Sequence, residues 1–287
     1  MDVIGVLPSG DVLGDGLGVL MNTNDTKVVD YFETPEYASL LKTVRGWFTS
    51  GYILPDIATN KESTQSLIKA KKTYGHLGNM NPEAGTTDTR GTGQPIVVTS
   101  LAQQISTTQS VTNFMWAVPA YSKKAEKAVE LLNLMYSDKD IFNLFAFGVE
   151  GKHYAKVSGT ENTIDFPSGV TAQTSGYNLG QPFMFGDEFI GHIWNGSSQD
   201  AWKQMDSFNK SAIKSKALGF LFDVSPVKTE YAAVNNVVGQ YKLALENGVV
   251  DTNKILPEFI SKLKAAGIDK IVSEKQKQLD KWAASSK

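Results

Sequence analysis

Short polar side chains set beside aromatic rings are the chemistry-bearing pattern of this chain. Asn79 and Asn81 flank Met80 in a polar turn that runs on to Glu83. Trp116 lies close behind Asn113, Phe183 and Asp187 flank Phe185-Gly186, Trp194 is followed by Asn195 and Gly196, and Phe222 precedes Asp223. Such groups can hold a carbohydrate: ring faces cover the apolar C–H side of a pyranose, and short amides and carboxylates fix its hydroxyls. The competing role is structural. Aromatics near turns anchor cores, and asparagines occupy turns for backbone reasons.

Covalent chemistry has little to work with. His76, His153 and His192 are scattered, with no His-Glu-x-x-His spacing. No glycine-rich loop ends in Gly-Lys-Ser/Thr, no Gly-x-Gly-x-x-Gly leads from strand to helix, Gly-x-Ser-x-Gly is absent, and Gly91-Thr92-Gly93 reads as a flexible loop. Asp187 and Glu188 are adjacent carboxylates, but a glycosidase needs two that face one bond. The acidic loop Asp11 to Asp15 lacks the oxygen spacing and distal Glu of a calcium loop, so a plain hairpin is expected. The chain has no cysteine, which removes disulfides and thiolate sites together. No cofactor is expected.

The elements that must position these residues follow from periodicity. Thr34-Pro35-Glu36 opens a helix whose apolar face is Tyr37, Leu40, Leu41, Val44, Trp47 and Phe48, stopped by Gly51. A polar helix over about 60–72, a strand at 74–77, a loop to Gly93, a buried strand at 95–101 and a strand at 111–119 are expected next. Ser122 caps a helix to Tyr136 with Ala125, Ala128, Val129, Leu132, Met135 and Tyr136 on its inner face. Ser137 caps another, ending at Gly148. Amphipathic helices are expected at 200–212, at 231–245 before Gly248, at 257–266 before Gly267, and from Ile268 to the end.

A net charge of −2, from 28 basic and 30 acidic residues, argues against a nucleic-acid partner. No apolar run is long enough to span a bilayer. The lysines beyond 262 alternate with acids, as on a solvated helix face.

The run Leu131-Leu132-Asn133-Leu134-Met135-Tyr136, followed by Gly148-Val149-Glu150-Gly151-Lys152-His153-Tyr154, resembles extracellular solute-binding proteins of sugar-type ABC transporters. More narrowly it is similar to a lipoprotein branch from Gram-positive bacteria with a C-terminal domain of the DUF3502 type. The closing phrases around Gly219-Phe220, Ser225-Pro226-Val227 and Ala265-Ala266-Gly267-Ile268-Asp269 carry the same likeness. The resemblance implies an α/β, periplasmic-binding-protein-like II fold, mainly its second lobe, with a mixed sheet flanked by helices and a helical C-terminal part. It implies second-lobe α/β structure over 1–112, a crossover and first-lobe helix pair over 113–150, and a return to the second lobe with the helical domain over 151–287.

The implied function is the substrate-binding component of an ABC importer, not an enzyme, with a sugar or oligosaccharide ligand and permease subunits as partners. Its place would be extracellular, held to the membrane by a lipid anchor on an N-terminal part outside this chain. Asn79, Asn81 and Asp223 then fall at the rim of the interlobe cleft. Glu83, Trp116, His153, Tyr154, Phe183, Asp187, Trp194 and Phe222 complete the candidate ligand set. A cleft needs two walls, and the likeness covers the second half of longer chains, so sugar affinity is expected to be weak or undetectable. Two other classes stay open: a glycan-processing enzyme with an acidic pair, and a surface protein-interaction domain.

Overall fold

The computed structural model describes residues 10–285. The apolar run Val3-Ile4-Gly5-Val6-Leu7 followed by Pro8-Ser9-Gly10 predicts a short strand and a turn, and all of this but Gly10 lies outside them. In chain order the elements are α1 (Pro35–Thr49), α2 (Thr64–Lys69), α3 (Ala84–Thr92), β1 (Ile105–Ser106), α4 (Thr108–Thr112), α5 (Ala125–Ser137) and α6 (Lys139–Phe147). β2 (Ala155–Lys156), β3 (Thr163–Asp165), β4 (Ile193–Trp194), α7 (Ala201–Ser211), β5 (Ile213–Lys214), α8 (Lys228–Glu246), α9 (Thr252–Ala266) and α10 (Ile268–Ser285) follow.

The largest core joins the two ends of the chain. Tyr37 and Leu41 of α1 meet Val234 and Leu245 of α8, Phe259 and Leu263 of α9, and Ile268 and Ile271 of α10. Thr34 caps α1 as its sequence requires, accepting from the Tyr37 amide at 3.2 Å. Gly267, at φ 100°, lets α9 turn straight into α10. The N-terminal hairpin pairs Asp11 with Leu20 and Val19 with Val29. Its Leu13, Leu20 and Val28 pack on Ala217, Phe220 and Leu279.

A second core belongs to the middle of the chain. Met135 of α5 and Phe142, Ala146 and Phe147 of α6 pack on Tyr154, Ile164 and Phe185. The sheet beneath them is mixed: β2 runs antiparallel to β3, and β3 parallel to β4 in the register Ile164 to Trp194. A smaller parallel pair joins β1 to β5.

The Gly148–Tyr154 stretch is a tight link between α6 and this sheet. Gly148 closes α6 at φ 84°, and a Cβ there would fall 2.4 Å from His153 Nδ1. The bare backbone lets the imidazole approach, and Nδ1 accepts from the Val149 amide at 2.9 Å. Gly151 donates to the Tyr154 carbonyl at 2.7 Å. Chain reversal and the seating of Tyr154 in the core thus explain most of these seven residues.

Several local expectations are corrected. Residues 74–77, 95–101 and 111–119 form no strand. Val97 is 92% exposed and Met115 75%, so these apolar runs lack the buried face that a strand reading presupposes. The stretch before Gly93 is not a loop but α3, and residues 108–112 are helical. α5 begins at Ala125 rather than Ser122, and Asp138, not Ser137, caps α6 by accepting from the Asp140 and Ile141 amides. A carboxylate at the helix N-terminus outranks the neighbouring hydroxyl because it also answers the dipole. Of the inner face expected on α5, only Met135 is buried, while Val129 and Tyr136 stand exposed. α9 starts at Thr252 and carries Pro257 inside it.

Candidate functional site

α3 has no apolar stripe, and its Gly/Thr-rich sequence has poor intrinsic helicity. Its position comes from its ends. Asn81 Oδ1 accepts from the Glu83 amide at 2.9 Å and turns the chain into the helix. Gly93, at φ 69°, ends it in the left-handed region. The Thr89 hydroxyl then accepts from the Ile96 amide at 3.0 Å, so the returning chain lies along the helix.

Between these segments and the end of β4 runs an open groove of about 560 Å³. Met80, Ile96 and Val98 give it apolar surface, and Asn81, Thr86, Thr89, Arg90 and Asn195 give it polar atoms. A smaller groove of about 360 Å³ adjoins it at Ile96 and includes Tyr74. Such a mixture of apolar patches and short polar groups can hold a small polar ligand.

Arg90 is the electrostatic centre of the larger groove. Its guanidinium lies 5.1 Å from the Trp194 ring centroid. Burial lowers its pKa, while Glu83 and Asp165 pull it back up. Nη1 is buried without a hydrogen-bond partner among the described residues. Asp165 is itself engaged, accepting from the Asn195 amide nitrogen at 2.8 Å.

The structure brings Asn81, Glu83 and Trp194 into this neighbourhood, while Asn79 is exposed and does not line the groove. Trp116, Phe183 and Asp187 form a separate group. Trp116 Nε1 donates to the Met184 carbonyl at 2.8 Å, Phe183 meets Phe114 edge-on at 5.2 Å, and Asp187 Oδ1 accepts from the Phe189 amide at 2.9 Å. Tyr154 is buried against Phe147 and His192, and His153 packs on Tyr177. Phe222 lies under the Lys275 ammonium at 4.9 Å. Asp223 accepts from the Ser225 amide, and hydrogen bonding from Ser225 holds its carboxyl below the usual range.

Sequence reasoning missed Thr86, Thr89 and Arg90 because the segment read as a loop. One signal was present: Arg90 is one of two arginines among 28 basic residues, set in a stretch otherwise small and polar. Glu188 answers one condition of the enzyme alternative, since burial raises its pKa to about 7. Neither it nor Asp187 lines either groove, so the second condition, two carboxylates facing one bound bond, is not met there.

Known proteins bear on this geometry. Residues 216–284 match the family described as "Domain of unknown function (DUF3502)". A carbohydrate ABC transporter substrate-binding protein of Streptococcus pneumoniae is 30% identical over 270 residues, covering 91% of this chain and 53% of the relative. The N-glycan transport solute binding protein NgtS of the same species, solved with Man1GlcNAc, superposes with a TM-score of 0.79 at 27% identity. That match covers 96% of this chain and 62% of the other. The same protein with Man5GlcNAc gives 0.78 at 28% identity. This chain therefore spans about half the length of the curated relative. The likeness read from Leu131–Tyr136 and Gly148–Tyr154 holds: the chain has a solute-binding-protein fold, matches the DUF3502 model over residues 216–284, and is similar over nearly its whole length to a carbohydrate ABC transporter substrate-binding protein.

Proposed function

We propose that this chain is the greater part of the sugar-holding component of an ABC importer, and that the groove at Asn81, Arg90 and Asn195 is one wall of its ligand site. The observation that carries this reading is the 30% identity, over 91% of the chain, to a protein described as a carbohydrate substrate-binding component. The groove's mixture of apolar patches and short polar groups supports it.

The action required is physical. Ligand bridges two walls, and its differential affinity for the closed arrangement shifts a hinge equilibrium that permease subunits then read. No bond is broken, so no catalytic pair is needed. The protein works outside the cell, tethered by a lipid anchor. Residues 113–150 belong in this reading to the opposite lobe, and the exposed Phe114, Met115, Trp116 and Tyr136 face the remainder of it.

Saturation-transfer NMR with millimolar mannose- and N-acetylglucosamine-containing oligosaccharides tests the proposal. The expected result is weak transfer to the sugar, which is recovered intact. A cleaved product would transfer the case to the enzyme reading. No transfer from any glycan would sink the carbohydrate assignment, and micromolar affinity would show that one wall is not the whole site.

A further inference from the structure

The two grooves are built from the same two stretches of chain. Residues 73–81 give Tyr74 to the smaller groove and Met80 and Asn81 to the larger. Residues 94–98 give Gln94 to the smaller, Val98 to the larger, and Ile96 to both. The two stretches therefore advance in the same order, from the Tyr74 end towards Asn195. α3 holds both in place. A Cβ on Gly85 would lie 3.4 Å from the Ile96 carbonyl oxygen and from Val98 Cγ2, and the Ile96 amide donates to the Thr89 hydroxyl at 3.0 Å. On the other stretch, His76 Nε2 lies 3.6 Å from Asp88 Oδ2 of the same helix.

The smaller groove offers what a sugar ring needs. Tyr74 is fully exposed, so its ring face is open to a partner. An exposed ring alone is ordinary. This one stands at the end of a groove of about 360 Å³, beside the side-chain amide of Gln94. The ring can cover the C–H face of a pyranose while the amide meets its hydroxyls. Each groove by itself has the volume of a small-ligand site. A ligand that crosses Ile96 from one to the other makes its second set of contacts within the molecule already bound, at high effective concentration.

We propose that the Tyr74 groove is a second subsite continuous with the first, that it takes a further unit of the same glycan stacked on Tyr74, and that the chain therefore prefers linear oligosaccharides to mono- and disaccharides. The inference rests on the carbohydrate reading above and adds a length preference to it. Tyr74 is the residue that sets that preference.

The test is a length series. The 15N-labelled chain is titrated with manno- and chito-oligosaccharides of one to four units, and backbone amides are followed. The expected result is affinity that rises about three- to tenfold from the disaccharide to the tetrasaccharide of the favoured series, the worth of one stacked ring. The Thr86, Thr89 and Asn195 amides should move with the disaccharide, and those of Tyr74 and Gln94 only with longer chains. Tyr74→Ala should abolish the gain with length and leave disaccharide affinity and the melting temperature unchanged, since the side chain is exposed. Tyr74→Phe should keep the gain, because the ring face and not the hydroxyl carries it.

Equal affinity for di- and tetrasaccharide would overturn the second subsite and leave the carbohydrate reading standing. So would Tyr74 and Gln94 amides that stay still while those of Thr86 and Asn195 move. A Tyr74→Ala variant that weakens every length alike would show that the ring serves the first groove or the fold, and would also overturn the inference. No movement with any glycan would remove this inference and the carbohydrate reading together.

Discussion

Glu188 sets a pH dependence from a single carboxyl. Burial, with Asp187 beside it, raises its pKa from 4.5 to about 7. The folded state therefore binds this proton more tightly than the unfolded chain. The associated stability is full below pH 4.5 and is lost as pH rises through 7. Glu188→Gln, which cannot ionise, should be more stable than the parent at pH 8 by about 2–3 kcal/mol and nearly equal to it at pH 4.5. Urea midpoints at the two pH values check this, and equal differences at both would refute it. Gly186 makes a steric prediction. At φ 138°, an added Cβ would lie 2.0 Å from the Met135 carbonyl oxygen. Gly186→Ala should cost about 3 kcal/mol or more, because backbone rather than a flexible side chain must give way. Arg90, which lines the larger groove, was illegible beforehand. A charge announces nothing of its burial, and its groove is assembled from segments about a hundred positions apart.

Among the elements, legibility followed the strength of the local code. α1, α8 and α9 have periodic apolar faces and glycine stops, α10 has a periodic face alone, and their existence was readable. α3 has no such face, and side-chain bonds at its ends, from the Ile96 amide to Thr89 and from the Glu83 amide to Asn81, define it. The runs at 95–101 and 111–119 failed for the converse reason: β-branched and aromatic residues were present, but no sheet lay beside them to pair with. The candidate ligand set was partly legible for the same reason. Asn81 and Trp194 adjoin recognisable turns, whereas the threonines of α3 adjoin nothing periodic. α6 offers a test of its own start signal. Asp138 bonds two amides of the first turn, so Asp138→Ala should cost about 1 kcal/mol, and Asp138→Ser should recover most of it. α10 offers a larger one. Lys275 is fully buried in the middle of this helix and pairs with Asp15, with burial lowering its pKa against the pull of that carboxylate. Asp15→Asn strands a buried ammonium and should cost about 3–5 kcal/mol. Lys275→Met on the Asp15→Asn background should restore much of that loss in thermal melts, because a strong part of the cost is the unpaired charge.

At the level of the whole molecule the two cores have different builds. One unites residues 13–41 with 217–279, and the other lies within residues 132–194. Hydrogen exchange should reveal them as separate cooperative units, with residues 60–121 the least protected, since that span contributes no residue to either core. A single opening free energy across all three regions would refute this. The fold family was legible from two phrases in the middle of the chain. The union of its ends was not, because no pattern within a short window records a partner about 250 residues away.

That union has a consequence for how the protein comes into being. Gln276 binds the Val28 amide and the Thr26 carbonyl, and Lys275 reaches Asp15 and the Gly18 carbonyl. The hairpin emerges during synthesis well before the helix that clasps it, about 250 residues further on. At about 5–20 residues per second, the interval is on the order of ten seconds to a minute. Through that time the hairpin lacks the helix that holds it in the finished fold.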